Sequence, residues 1–425
     1  MKFTDLQLSE PVMAGIREAG FVELTPVQEE SIPLALDGKD VAAQAQTGTG
    51  KTAAFLISLF TRLLAEPKDS GRNPRALILA PTRELVVQIC ADAETLGAHC
   101  PLKVQPIFGG VDYEKQRQAL RDGVDVIVAT PGRLIDYYKQ KVYSLRQVEI
   151  VVIDEADRMF DMGFIKDLRY ILRQLPPFNQ RQTMLFSATL SQRVMELAYE
   201  FMDLTEKVRI APEQVTAEKV EQILYHASRR EKFALMMGFF QREPDLSRVL
   251  IFVNTKKEAE FLADRLNANN YKTAVLSGDI PQRKRMRLLK DFMEGRLTML
   301  VATDVASRGL HIEDVSHVIN YDLPQEAEDY VHRIGRTARA GAGGKAISFA
   351  DEDLVFHLPD IEEYIGHKIP SRFPEDEDFF WDYKRTVRRK KAPVPEKSGG
   401  PGQKRRPRRR PRRSGAGEKK GPAKS

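Results

Sequence analysis

Ala45-Gln46-Thr47-Gly48-Thr49-Gly50-Lys51-Thr52 lies between a short apolar segment, Val41–Ala43, and the apolar run Ala53-Ala54-Phe55-Leu56-Ile57. A strand, a glycine-bearing turn and a helix in that order make a phosphate-binding loop. Gly48 and Gly50 let the backbone turn sharply and bring its N–H groups close to phosphate oxygens, beside the positive end of the helix that follows. In that geometry Lys51 reaches the β- and γ-phosphates, and the Thr52 hydroxyl sits on Mg²⁺. The usual pattern opens with glycine, where this chain has Ala45. The competing reading is a glycine turn capping an ordinary helix.

About a hundred residues on, Ile150-Val151-Val152-Ile153 reads as a buried strand and runs into Asp154-Glu155-Ala156-Asp157. A carboxylate at the carboxyl end of a parallel strand, near a phosphate loop, is suited to hold Mg²⁺ through water. Asp154 is the candidate for that role, and Glu155 is placed to polarise an attacking water.

The same rhythm surrounds these two stretches. Val41–Ala43, Ala76–Ala80, Val104–Ile107, Val126–Ala129, Ile150–Ile153 and Met184–Phe186 read as strands, with helical patterns such as Glu84–Leu96 and Tyr113–Leu120 between them. Short β-branched runs alternating with helices predict a parallel sheet covered on both faces. The pattern fades across Asp203–Glu218, which holds Pro212, so a linker is expected at 206–218, after a first lobe at 1–205. It restarts with Val249–Val253, Thr273–Leu276, Met299–Ala302, His317–Asn320 and Ala346–Phe349, which with helices Lys256–Leu266 and Arg283–Met293 predict a second α/β lobe at 219–370. That lobe carries no second phosphate loop.

Composition limits the remaining classes. Residues 381–425 hold 18 lysines and arginines against three acids, leaving 48 basic against 57 acidic residues in the rest of the 425. An acidic body therefore carries a strongly basic tail, expected from 371 to 425. Arg405-Arg406-Pro407-Arg408-Arg409-Arg410 cannot bury apolar surface, so the tail is expected to be mostly disordered. Phe379-Phe380-Trp381 is its one candidate anchor on the second lobe. The tail reads as a non-specific tether for a phosphate backbone, which would be RNA under the resemblance given below; a solubilising extension, or a binder of acidic proteins or membrane surfaces, are the alternatives. Cys90 and Cys100 are too few for a disulfide framework or a cysteine zinc site, which points to a reduced, cytoplasmic protein. No run approaches a membrane span, and Met1-Lys2-Phe3-Thr4-Asp5 has no signal-peptide character.

Taken together, these motifs resemble the DEAD-box RNA helicases over roughly residues 1–370, in the family's own order. The resemblance implies two tandem RecA-like lobes that close on ATP, Mg²⁺ and single-stranded RNA. Gly20-Phe21 with Thr25-Pro26-Val27-Gln28 is similar to the adenine-reading motif, with Phe3 upstream. It implies Phe21 stacked on adenine and Gln28 bonded to the adenine edge. Ser187-Ala188-Thr189 resembles the motif that couples hydrolysis to lobe movement. His332-Arg333-Ile334-Gly335-Arg336-Thr337-Ala338-Arg339 resembles the arginine-finger motif, in which Arg336 and Arg339 would neutralise charge on the γ-phosphate. Asp304 matches the residue that contacts the ATP ribose. Lys51, Glu155, Arg336 and Arg339 thus form the implied catalytic set, and Ala45 to Thr52 the implied phosphate cradle.

A second group of residues falls just after expected strands and has the chemistry to hold a phosphate backbone without reading sequence. These are Thr82 and Arg83, Gly109 and Gly110, Thr130, Gly132 and Arg133, and in the second lobe Thr255, Gln282, Arg285 and Thr303. Each alone could be a helix cap; together they match the family's RNA-contacting motifs. Two positions depart from the family: Ala338 where glycine is usual, and His311 where aspartate is usual. His311, Asp329-Tyr330-Val331-His332 and Tyr364–Pro370 resemble one bacterial subtype. That subtype implies an RNA-degradation assembly containing an endoribonuclease as partner. An ATP-gated RNA clamp with little unwinding, and a DNA-directed translocase, are the rival readings.

Overall fold

Aliphatic runs too short for helices bury both faces of two sheets. The computed structural model describes residues 1–385 apart from 46–47, 69–70, 211–219, 245, 278–279, 308–311, 313–314 and 338–343. The first sheet contains β1 (Val41–Gln44), β2 (Ala76–Leu79), β3 (Val104–Ile107), β4 (Val126–Ala129), β5 (Ile150–Ile153), β6 (Gln182–Ser187) and β7 (Glu206–Arg209). The second contains β8 (Val220–His226), β9 (Val249–Phe252), β10 (Thr273–Leu276), β11 (Met299–Ala302), β12 (His317–Asn320), β13 (Gly344–Ala350) and β14 (Ser371–Arg372). All pairings between these strands are parallel. The spatial orders are β3-β4-β2-β5-β6-β1-β7 and β10-β11-β9-β12-β13-β8-β14. Strand for strand, the second order repeats the first. Both sheets belong to one unit, Met1–Thr386.

Alternation along each strand assigns the layers. In β1, Val41 and Ala43 face the helices Glu10–Glu18, Pro26–Leu36, Lys51–Ala65 and Arg83–Leu96, while Ala42 joins the opposite core with Leu77, Leu79 and Ile127. Phe55, Leu56, Ile57, Leu59, Phe60 and Leu63 on Lys51–Ala65 are at most 1% exposed. Each such burial contributes about 1.5–3 kcal/mol, which anchors the helix that carries the phosphate loop. In the second sheet, Val249 and Ile251 face the helices Lys232–Arg242 and Lys256–Ala268, and Leu250 and Phe252 face the other side.

Two boundaries differ from expectation. The interval read as a linker begins inside the first sheet, because β7 pairs with β1 from Val41↔Glu206 to Gln44↔Arg209. Only Val208 of that strand is buried, and its charged neighbours hide the strand from a hydrophobicity pattern. Residues 371–385, read as the start of a disordered tail, form a strap on the second lobe. Ser371–Arg372 extends the sheet beside β8, the Phe380 N–H donates to Ala234 O at 3.0 Å, and Phe379, Phe380 and Tyr383 pack on the core. Phe379 and Phe380 are thus the anchor that the sequence offered, while Trp381 stays half-exposed. The remainder of the expected tail, 386–425, and the expected linker residues 211–218 lie outside the described residues.

Candidate active site and nucleic-acid face

Every parallel strand delivers its following turn to the same edge of its sheet, so residues far apart in the chain meet at the carboxyl ends. At that edge of the first sheet lies a cavity of about 370 Å³, lined among others by Phe21, Gly48, Gly50, Lys51, Thr52, Asp154 and Glu155. Gly48 and Gly50 have φ of +83° and +90°, which an L side chain rarely adopts. Gly50 is also crowded, since a Cβ there would lie 2.5 Å from Gln28 Nε2. Lys51 is 6% exposed, and its Nζ has no hydrogen-bond partner among the described residues. A buried ammonium without a partner is costly unless an anion completes it.

Asp154 and Glu155, which line the same cavity, are 2% and 4% exposed. Glu155 adopts φ +51°, ψ +53°, a left-handed conformation uncommon for a residue other than glycine. Its N–H donates to Asp154 Oδ1 at 2.9 Å, and its Oε2 accepts from Arg158 Nη1 at 3.1 Å. The described residues contain no group of three or more acids, histidines or cysteines able to hold a metal by themselves. One carboxylate and one hydroxyl beside a phosphate cradle is the donor set that suits Mg²⁺, which keeps waters and shares phosphate oxygens.

Phe21 is 43% exposed and stacks on Phe3, ring centroids 6.3 Å apart. Gln28 is buried instead of opening into the cavity. Its Oε1 accepts from Thr25 N–H at 2.9 Å, and its Nε2 donates to Gly50 O at 3.1 Å, tying the adenine-motif segment to the phosphate loop. Asp157, which the sequence reading left without a role, joins two motifs. Its N–H donates to Ser187 Oγ at 3.1 Å, and its Oδ2 accepts from the N–H groups of Ala188 and Thr189 at 3.1 and 3.2 Å. Burial raises its pKa, and the nearby Lys51 ammonium opposes that shift.

The candidate backbone-holding residues divide between the lobes. Thr82 and Thr130 precede the helices Arg83–Leu96 and Pro131–Lys139, and the Thr82 side chain accepts from Leu85 N–H at 3.3 Å. Arg83 and Arg133 converge on Gly109, and Arg133 also lies over the Tyr113 ring at 4.8 Å. Gly110 has φ +86°, whereas Gly132 has open space where a Cβ would stand. Thr255 caps Lys256–Ala268 by accepting from Glu258 N–H at 3.2 Å, Gln282 opens the helix Gln282–Met293, and Thr303 follows β11. Arg285 is 9% exposed and crosses to the first lobe, its Nε 2.7 Å from Glu84 Oε1. Glu84 follows Arg83 directly in the chain. The approach of the lobes is also felt by Glu328, whose pKa is raised by burial and further by the charges of Asp157 and Asp161.

Asp304 is held by Arg333, both of its oxygens 2.6 Å from guanidinium nitrogens. Arg336 is 5% exposed and does not line the cavity. Gln46, Thr47 and Arg339, with His311 and Ala338, lie outside the described residues.

Residues 25–197 match the DEAD/DEAH box helicase family, and residues 231–341 match the Helicase conserved C-terminal domain. The chain is 54% identical over 372 residues to the ATP-dependent RNA helicase RhlB of Pasteurella multocida (strain Pm70), a match covering 87% of this chain and 88% of that protein. It is 56% identical over 372 residues to the RhlB of Xanthomonas axonopodis pv. citri (strain 306), covering 87% of this chain but 65% of that longer relative. Among solved structures, S. cerevisiae Dbp5 bound to RNA and ADP BeF3 is 31% identical, covers 89% of this chain and 97% of that one, and superposes with a TM-score of 0.77. The chain belongs to the DEAD-box helicase family. The bacterial subtype that its His332 and Tyr364 segments resemble is the RhlB type. No described helix is long and apolar enough to cross a membrane.

Proposed function

We propose that the protein is an RNA helicase that hydrolyses ATP to ADP and phosphate when RNA is bound, and locally separates short duplexes. One observation carries the reading. The buried Lys51 ammonium, unpartnered among the described residues, opens onto the same cavity as Asp154 and Glu155. A cation and two carboxylates lining one cavity suit a polyphosphate and an attacking water.

In this reading Ala45, Gln46, Thr47, Gly48, Thr49, Gly50 and Thr52 cradle the phosphates through the backbone, and Lys51 neutralises the β/γ oxygens. Thr52 and Asp154 would hold Mg²⁺, which supplies further charge neutralisation when bound. Glu155 orients the attacking water, and Arg336 and Arg339 complete the neutralisation on lobe closure. Phe21 stacks on adenine, Gln28 braces the loop beneath it and turns to the adenine edge, and Asp304 receives the ribose. Ser187 and Thr189, bound to Asp157, transmit hydrolysis to the lobes.

Thr82, Arg83, Gly110, Thr130, Gly132, Arg133, Thr255, Gln282, Arg285 and Thr303 hold the RNA backbone with little sequence preference. The lobes are assigned to 1–210 and 220–385 on the strength of β7 and the strap. An endoribonuclease-containing RNA-degradation assembly in the cytoplasm is the setting that the RhlB resemblance supports; co-purification with such an endoribonuclease tests it.

Steady-state ATP hydrolysis with and without single-stranded RNA, alongside displacement of a short duplex, tests the reading. Strong RNA stimulation is expected, lost in Glu155→Gln. Hydrolysis without displacement would favour an RNA clamp, and equal stimulation by DNA a DNA translocase.

A further inference from the structure

The repeated strand order puts Lys232 where the first lobe has Lys51. Each lysine opens the helix that follows its sheet's penultimate strand: Lys51 after β1, Lys232 after β8. In the second lobe, however, the ammonium is already occupied. Lys232 is 0% exposed, with Nζ 2.9 Å from Asp322 Oδ1 and 2.6 Å from Asp351 Oδ2. Asp322 and Asp351 follow β12 and β13, the counterparts of β5 and β6, so they stand near where Glu155 and Ala188 stand in the first lobe.

The bonds continue outward from there. Asp322 Oδ2 accepts from Asn254 N–H at 2.9 Å, and the Asp322 carbonyl accepts from Arg333 Nη1 at 2.7 Å. Arg333 Nη2 donates to Asn254 Oδ1 at 3.2 Å as well as to Asp304. Asn254 precedes Thr255. One unbroken set of contacts thus joins Lys232, on a helix with no motif residue, to both Thr255 and Asp304.

We infer that Lys232 is a positioning residue, whose ammonium holds Asp322 and thereby, through Arg333, keeps the Asn254–Thr255 turn and the Asp304 carboxylate in one geometry. The inference rests on the proposed roles of Thr255 toward RNA and Asp304 toward ribose. The physical reason is charge balance. In the ion pairs seen among the described residues, two cations, Lys232 and Arg333, serve three carboxylates, Asp351, Asp322 and Asp304. Without the Lys232 charge, Asp322 competes for Arg333, which its carbonyl already binds, and Arg333 leaves Asp304. A purely space-filling role would be met by an apolar side chain without desolvating these charges.

The test compares the intact protein with Lys232→Met and with Lys232→Met/Asp322→Asn, measuring hydrolysis against ATP concentration and against single-stranded RNA concentration. Lys232→Met is expected to raise the ATP KM and the half-saturating RNA concentration each about 3- to 10-fold, with kcat less affected. In the double variant the neutral amide that replaces the Asp322 carboxylate still accepts from Asn254 N–H but no longer attracts Arg333. Both concentrations are therefore expected to return towards the intact values. A lower Tm or kcat with both concentrations unmoved, or a double variant worse than the single, overturns the inference. Should Lys232→Met not fold, Asn254→Ala, which leaves the buried charges paired, must still raise the ATP KM; an unchanged KM overturns it equally. Absence of RNA-stimulated hydrolysis in the unaltered protein is a different result, overturning the underlying reading and this inference with it.

Discussion

The two lobes are built on one strand order and put a lysine at one topological position, yet they treat its charge in opposite ways. In the first lobe, glycines at Gly48 and Gly50 hold the turn open, and Lys51 has no hydrogen-bond partner among the described residues. In the second, Lys232 is sealed between two aspartates under a tyrosine ring 5.1 Å away. The same architecture therefore serves as a ligand site where polar demand is left unmet, and as a rigid frame where it is met internally. The lobes also cover the helix behind that lysine differently. Lys51–Ala65 is covered by the helices Glu10–Glu18 and Pro26–Leu36, whereas Lys232–Arg242 is crossed by the C-terminal strap.

The largest expected effect breaks the open side of this comparison. Lys51→Ala is expected to lower RNA-stimulated hydrolysis by about 10²- to 10³-fold, the scale of losing one preorganised electrostatic contact to a transferring group. Initial-rate assays at saturating RNA check it. Next comes the contact between the lobes. Arg285→Met removes the ion pair with Glu84 and leaves that carboxylate nearly buried. The half-saturating RNA concentration is expected to rise about tenfold or more, measured by fluorescence anisotropy in the presence of an ATP analogue.

A smaller effect sharpens the difference in how the two helices are covered. A Cβ on Gly238 would lie 2.0 Å from Asp378 O, so Gly238→Ala is expected to lift the strap. The cost is about 1–3 kcal/mol, read as a lowered Tm without loss of ATP binding.

The smallest effect concerns buried charge in the first lobe. Burial pushes Asp40 up to about 6, against the hydrogen bonds that it accepts from Thr183 and Asp203 N–H at 2.7 and 2.8 Å. Between pH 4 and 6 the unfolded chain has released this proton and the folded one retains it, so stability falls as pH rises through that window. The contribution is on the order of 1 kcal/mol after solvent screening. Thermal melts at pH 4.5 and 6.5 should differ by less in Asp40→Asn, whatever its absolute stability; an equal difference would remove Asp40 as the cause.

The elements legible in the sequence were those whose signal is local. Val126–Ala129 and Ile150–Ile153 are continuous apolar runs with turn residues after them, and their bounds coincide with strands. The phosphate loop and Asp154–Glu155 are contiguous and chemically distinctive. By contrast, β7 and β14 offer one buried residue or none, and β8 mixes Glu221 and Gln222 into its apolar run. The Lys232 set could not be read in advance, because its partners lie 90 and 119 residues away and each looks alone like a surface charge. Asp157 was visible beside Asp154, but its link to Ser187–Thr189 exists only in the fold.

One lysine site of this chain is open, and its counterpart is filled from within. Titration of the full chain with a non-hydrolysable ATP analogue by calorimetry tests it most directly. One analogue bound per chain is expected, lost in Lys51→Ala and kept at one per chain, with weaker affinity, in Lys232→Met. Two per chain, or binding that survives Lys51→Ala and disappears in Lys232→Met, would contradict it.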